Sequence, residues 1–101
     1  MKIVDLLKKA SIELDGAVNT KEETIGRMVE LMAAGGNIAD LDAYRAAVYK
    51  REEEGTTGIG EGIAIPHAKT NAVKAPGLAA MVVRDGVDYD SLDAEPVHLI
   101  F

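Results

Sequence analysis

Thr57-Gly58-Ile59-Gly60-Glu61-Gly62-Ile63-Ala64-Ile65-Pro66-His67 is the stretch on which the reading of this chain turns. Its three glycines, Gly58, Gly60 and Gly62, open backbone conformations closed to other residues and keep side chains away from an incoming group. Ile63 and Ile65 then alternate with Gly62 and Ala64, which is the period of a strand. Pro66 ends that strand and fixes the chain direction just ahead of His67. An imidazole presented in this way can exchange a proton, bind a metal or attack phosphorus.

Upstream, a helix is expected over residues 41 to 54, with Asp40 as its N-cap. Its apolar stripe is Leu41, Tyr44, Ala47 and Val48, and Arg51 continues that stripe. Arg51 is therefore expected to point along the protein body, with Glu52 to Glu54 on the solvent side. An earlier helix begins after Thr20, which with Glu23 matches a capping box. Ile25, Met28, Val29, Met32 and Ala33 follow at helical spacing, and Gly35-Gly36 supplies the left-handed stop. Nearer the start, a short helix is expected over residues 3 to 9, with Ile3, Val4 and Leu7 on one side. Ile12 and Leu14, alternating with Ser11 and Glu13, suggest a short strand before the Asp15-Gly16 turn.

Downstream of His67, residues 68 to 77 read as a polar loop closed by Pro76-Gly77. Leu78 to Arg84 is a strand, and Asp85-Gly86 is a hairpin signal leading to Val87 and Tyr89. Val97, Leu99 and Phe101 alternate with His98 and Ile100 in a last strand. The chain stops inside that apolar run, where natural domains seldom end. The expectation is that residues 1–101 are the front, major part of a single larger domain.

Composition bounds the function. A chain of 101 residues, 48% apolar and 28% charged, suits one small globular domain. Aromatic content of 4% with no Trp disfavours a stacking platform for single-stranded nucleic acid. A net charge of −6 disfavours nucleic acid or an anionic membrane and suits a basic protein partner. There is no cysteine, hence no disulfide and no thiolate metal site. Asp5 falls where a signal peptide would need apolar residues, and no apolar run spans a bilayer, so the chain reads as cytoplasmic.

Four chemistries compete at His67. His67 and His98 do not stand at ligand spacing, so no metal is expected. Gly58 to Gly62 precedes a strand, whereas a dinucleotide fingerprint must follow one and open a helix. No Gly-Lys-Ser/Thr occurs, and neither Ser11 nor Ser91 lies in a nucleophile elbow. What is left is His67 as a nucleophile or acid/base near an anion, against the plain reading of a turn residue. Arg51, sixteen residues earlier, could fold back to offer its planar fork to a phosphoryl group. It could equally pair with a neighbouring glutamate. Thr57 could donate a hydroxyl to phosphate or simply cap a turn.

The stretch from Thr57 to His67 resembles the active-site signature of the type-2 enzyme IIA domains of the bacterial phosphoenolpyruvate-dependent sugar phosphotransferase system. These are the fructose- and mannitol-class domains and their nitrogen-regulatory relatives. Lys21 to Ile25, Arg51-Glu52-Glu53 and Pro96 to Phe101 also match in order and spacing. The resemblance implies an α/β fold, a mixed β-sheet flanked by helices, here lacking its C-terminal part. It implies that His67 takes a phosphoryl group from the phosphocarrier HPr, through Nε2, and passes it to a cysteine of enzyme IIB. Arg51 would lie beside the ring, with Thr57, Gly60 and Gly62 as phosphoryl-binding positions. The family's second active-site histidine falls beyond Phe101, and His98 does not stand in for it. No cofactor is implied, and a membrane IIC domain is a possible fused or associated partner. The nitrogen branch, acting through phosphorylation-dependent binding, is the alternative, and a non-catalytic anion-binding module is a third reading.

Overall fold

The computed structural model describes residues 3–101, with side chains from Asp5 onward. A one-turn helix, α1 (Ile3–Leu6), leads directly into strand β1 (Leu7–Glu13). The helix expected over 3–9 therefore stops early. Leu7 already pairs in parallel with Leu78, and so short a helix cannot offset its own nucleation cost. The side chains of Ile3 and Val4 lie outside the described residues. In β1 it is Ser11 that is buried, while Leu14 is 67% exposed, so the Ile12/Leu14 alternation does not mark the inner face.

Two helices of equal length follow. α2 (Lys21–Ala34) is capped by Thr20, whose Oγ1 accepts the Glu23 N–H at 3.1 Å. The Glu23 carboxylate reaches back to the Asn19 N–H, one residue before the cap. The left-handed residue at its end is Gly36, at φ 81°. α3 (Leu41–Glu54) is capped by Asp40 through the Ala43 N–H. α2 lies against β1 and the long strand β4 (Leu78–Val87), and α3 packs on α2. Ile25, Met28 and Val29 of α2 join Tyr44 and Val48 of α3 in the core, together with Met81 and Val83 of β4. Burying one such side chain contributes about 1.5–3 kcal/mol, so this seam carries much of the stability.

The glycine stretch is a hairpin rather than an open turn. Strands β2 (Gly58–Gly60) and β3 (Ile63–Ala64) pair antiparallel around Glu61-Gly62. Both turn residues have positive φ, 58° and 78°, as a two-residue turn that matches strand twist requires. β5 (Val97–Ile100) lies between β3 and β4, giving the sheet order β1-β4-β5-β3-β2. β1/β4 and β3/β5 are parallel, while β4/β5 and β2/β3 are antiparallel. The expected α/β fold, a mixed sheet flanked by helices, is present.

Asp85-Gly86 is not the hairpin turn its sequence suggests. β4 runs through it to Val87, and its register against β5 slips between Val82 and Val87. Gly86, at φ 79°, sits inside this irregularity. The His98 Nδ1–H donates to the carbonyls of Val83 and Arg84 at 3.1 and 3.2 Å, which holds the bulge. The chain reverses farther on, across residues 88–96.

Candidate active site

The β2–β3 hairpin carries His67 to the surface. Beyond the last strand pair, the Ile65 N–H donates to the Thr57 carbonyl at 3.0 Å, extending the ladder by one rung. Pro66 then fixes φ and ends the strand. The His67 ring, exposed, turns back so that Nδ1 lies 2.7 Å from the Ile65 carbonyl oxygen. A carbonyl only accepts, so Nδ1 carries the proton. The lone pair is left on Nε2. The ring also borders an apolar hollow of about 330 Å³ whose walls include Tyr44, Val48, Val73 and Phe101.

Arg51 lies at the last turn of α3, partly exposed, and its Nη1 donates to the Gly55 carbonyl at 2.8 Å. The last hydrogen bond of the hairpin joins Thr57 and Ile65, and Gly55 lies two residues before it, where the chain leaves α3. The guanidinium is thus tethered to the segment that joins α3 to β2. It does not occupy the buried stripe of α3. That place belongs to Glu52, only 8% exposed, with Tyr44 and Val48. The expectation that Glu52 joins Glu53 and Glu54 in solvent is corrected here.

The reason is a set of donors that meet at the Glu52 carboxylate. Oε1 accepts from the Thr57 N–H at 2.8 Å and from Lys21 Nζ at 2.9 Å. Oε2 accepts from Thr57 Oγ1 at 2.6 Å. Thr57 donates to the carboxylate, so its oxygen accepts from the Tyr89 hydroxyl at 2.8 Å. Lys21 Nζ also lies over the Tyr89 ring, 5.0 Å from its centre. Burial pushes the Glu52 carboxyl up, but the Thr57 and Lys21 hydrogen bonds outweigh it and hold the group below the usual carboxylate range. Burial drives the Tyr89 hydroxyl far above its ordinary value.

These contacts relocate the other expected phosphoryl-binding positions. Thr57 is 4% exposed, and its hydroxyl faces inward to Glu52 and Tyr89 rather than toward a surface anion. Gly60 and Gly62 form the closed tip of the hairpin, roughly 15 Å of extended chain from His67. At that tip the Glu61 N–H is taken by Asp93 Oδ2 at 2.9 Å. That bond, with one from the Glu95 N–H, holds the Asp93 carboxyl below its usual range. The structure holds Arg51 on the segment that enters the hairpin and His67 on the segment that leaves it, with Gly60 and Gly62 at the closed tip away from His67. Among the described residues, no three His, Cys, Asp or Glu side chains gather as a metal site would require. No helix there is long and apolar enough to cross a membrane.

The mixed sheet presents one exposed, oriented imidazole at the open end of a glycine hairpin. The chain belongs to the family described as phosphoenolpyruvate-dependent sugar phosphotransferase system, EIIA 2, whose model matches residues 5–101. It is 48% identical over 101 residues to the fructose-specific EIIABC component of Bacillus subtilis, covering 100% of this chain and 16% of that protein. Its fold is similar to the nitrogen regulatory protein IIA-Ntr of Neisseria meningitidis, with a TM-score of 0.86 and 31% identity, over 96% of this chain and 66% of that one. It is also similar to a chain in the Escherichia coli complex of enzyme IIAMtl with phosphorylated enzyme IIBMtl, with a TM-score of 0.82 and 27% identity, over 94% and 68%. The chain therefore spans a small part of the fused fructose component and about two thirds of these solved chains.

Proposed function

We propose that this chain is a phosphoryl carrier that accepts a phosphoryl group from phospho-HPr on His67 and passes it to a cysteine of enzyme IIB during sugar uptake. The observation that carries the reading is the 2.7 Å contact between His67 Nδ1 and the Ile65 carbonyl, on an exposed ring. It leaves the nucleophilic lone pair on Nε2. The Nε2 lone pair attacks phosphorus in line, and the N–P bond of the donor breaks. Its electron pair returns to the donor imidazole. The receiving ring gains positive character, and the Ile65 carbonyl dipole stabilises the proton held on Nδ1. Little covalent help is needed in such a transfer; positioning and charge compensation dominate.

Arg51 is the residue to neutralise the equatorial oxygens. Its guanidinium rests on the exposed Gly55 carbonyl, a contact it can exchange for bidentate bonds to the phosphoryl group. Thr57, Gly60 and Gly62 serve by shaping the hairpin instead of by touching phosphate. The acidic surface, net −6, favours encounter with a basic donor face, an effect that salt weakens.

The sugar branch rests on the 48% identity to a fructose-specific component, and the IIB partner on the complex formed by the E. coli relative. The fold similarity to IIA-Ntr favours a second reading, in which phosphorylation controls what the domain binds. A gene neighbourhood encoding IIB and membrane IIC would favour the first.

Incubation with phosphoenolpyruvate, enzyme I and HPr should leave acid-labile phosphate on the chain. His67→Ala should lack it. Label persisting in that variant would overturn the assignment.

A further inference from the structure

We infer that Glu52 is a positioning residue for His67, acting through Thr57 and the hairpin backbone. The inference rests on the carrier reading for its consequence, though not for its geometry. Three consecutive links, the first of them double, connect the two side chains. The buried carboxylate of Glu52 accepts both the N–H and the Oγ–H of Thr57, at 2.8 and 2.6 Å. Two bonds to one residue fix its orientation, as one bond would not. The Thr57 carbonyl accepts the Ile65 N–H at 3.0 Å. The Ile65 carbonyl in turn accepts Nδ1–H of His67 at 2.7 Å. Each link fixes the residue that makes the next.

The location of this clamp gives it leverage. Glu52 sits one residue past Arg51 on α3, so one helical turn anchors both the guanidinium tether and the hairpin. Beyond Thr57 the chain runs into a strand of only three residues, β2, which by itself holds register weakly. Without the clamp, the bond that holds the Ile65 segment to the Thr57 carbonyl has a mobile acceptor. Lys21 compensates the carboxylate's charge from the start of α2 at 2.9 Å. The clamp therefore ties the end of α3, the start of α2 and the signature hairpin into one rigid junction. Misplacement of a reacting group by about 1 Å can cost on the order of 100-fold in rate, so loosening here should be visible in transfer.

The test uses Glu52→Gln, Thr57→Val, Thr57→Ser and, as a control for destabilisation alone, Tyr89→Phe. The Tyr89 hydroxyl lies 2.8 Å from the Thr57 oxygen and only 3.5 Å from Glu52 Oε2, so its removal leaves both Thr57 bonds of the clamp in place. Two readouts are taken on each folded variant: the imidazole nitrogen shifts of His67, which report the tautomer, and the rate of phosphorylation by phospho-HPr. In the wild type the Nδ1–H tautomer should dominate. Glu52→Gln and Thr57→Val should show a growing Nε2–H population and transfer slowed about tenfold or more. Thr57→Ser keeps both donors and should restore the wild-type tautomer and rate. Tyr89→Phe should lower the melting temperature without moving the tautomer.

The inference fails if Glu52→Gln and Thr57→Val keep the wild-type tautomer and rate. It fails equally if Tyr89→Phe shifts the ring as much as they do. Should Glu52→Gln not fold, the Thr57→Val and Thr57→Ser pair decides alone. The tautomer readout needs no phosphate. A wild type that takes no label would refute the carrier reading and still leave this inference decided by the shifts.

Discussion

Replacing Gly58 by alanine should destabilise the domain sharply, because the hairpin and the 88–96 segment touch there at backbone distance. A methyl group at Gly58 would lie 2.4 Å from Ser91 Oγ, 2.9 Å from Ser91 Cα and 3.0 Å from Ser91 Cβ. The hydroxyl can rotate away, but the backbone carbon is fixed. Reaching an ordinary carbon separation of about 3.5 Å requires a retreat of roughly 0.6 Å. The same glycine's carbonyl accepts the Leu92 N–H at 2.9 Å, so the retreat stretches that bond to the edge of usefulness. Overpacking costs about 1–3 kcal/mol and a weakened buried hydrogen bond about 1 more, for a total of roughly 2–4 kcal/mol. In a domain of this size that corresponds to a fall in Tm on the order of 10–25 °C.

Thermal unfolding followed by circular dichroism measures it, and Ser91→Ala completes a double-mutant cycle. Ser91 Oγ is buried with no hydrogen-bond partner among the described residues, so its removal alone should be neutral or stabilising. In that background Gly58→Ala should cost less by about 0.5–1 kcal/mol, but still cost, because the clash with the backbone of residue 91 stays. A Gly58→Ala protein melting within about 2 °C of wild type would refute the tight approach.

Two further outcomes are expected. Arg51→Ala should slow phosphorylation by phospho-HPr while leaving the melting curve nearly unchanged, because its bond to the Gly55 carbonyl is at the surface; an unchanged rate would mark Arg51 as structural only. Glu52 has a folded-state pKa below its ordinary value of 4.5. Its contribution to stability should therefore be present above that value and lost as pH falls through the lower folded-state value. Acid titration of stability should show a shallower loss in Glu52→Gln than in wild type, and equal slopes would remove Glu52 from the linkage.

Much of the fold was legible because its signals are local. Thr20 and Asp40 cap their helices through their own side chains, and the stripe from Ile25 to Met32 follows one helix's period. The position of His67 was legible for the same reason, since glycines, a strand and a proline precede it in sequence. Glu52 was not. A helical wheel places it beside the Tyr44 and Val48 stripe, and its charge argues for solvent. Its burial depends on donors from Thr57 and Lys21, which two distant parts of the chain supply. Asp85-Gly86 misleads in the same way. It carries a turn's chemistry, but the His98 ring uses the positive φ of Gly86 to hold a bulge in a longer strand. Thr57, Gly60 and Gly62 belong to one motif in sequence, yet hairpin pairing sends the glycines to the end away from His67. Distance along a motif does not report distance in a folded hairpin.

Phosphorus–nitrogen correlation by NMR on the phosphorylated, nitrogen-15-labelled chain asks the most direct question of all. Coupling should appear between phosphorus and Nε2 of His67, with Nδ1 still protonated against the Ile65 carbonyl. Coupling to Nδ1 instead, or phosphate on any other residue, would contradict the assignment of the nucleophile.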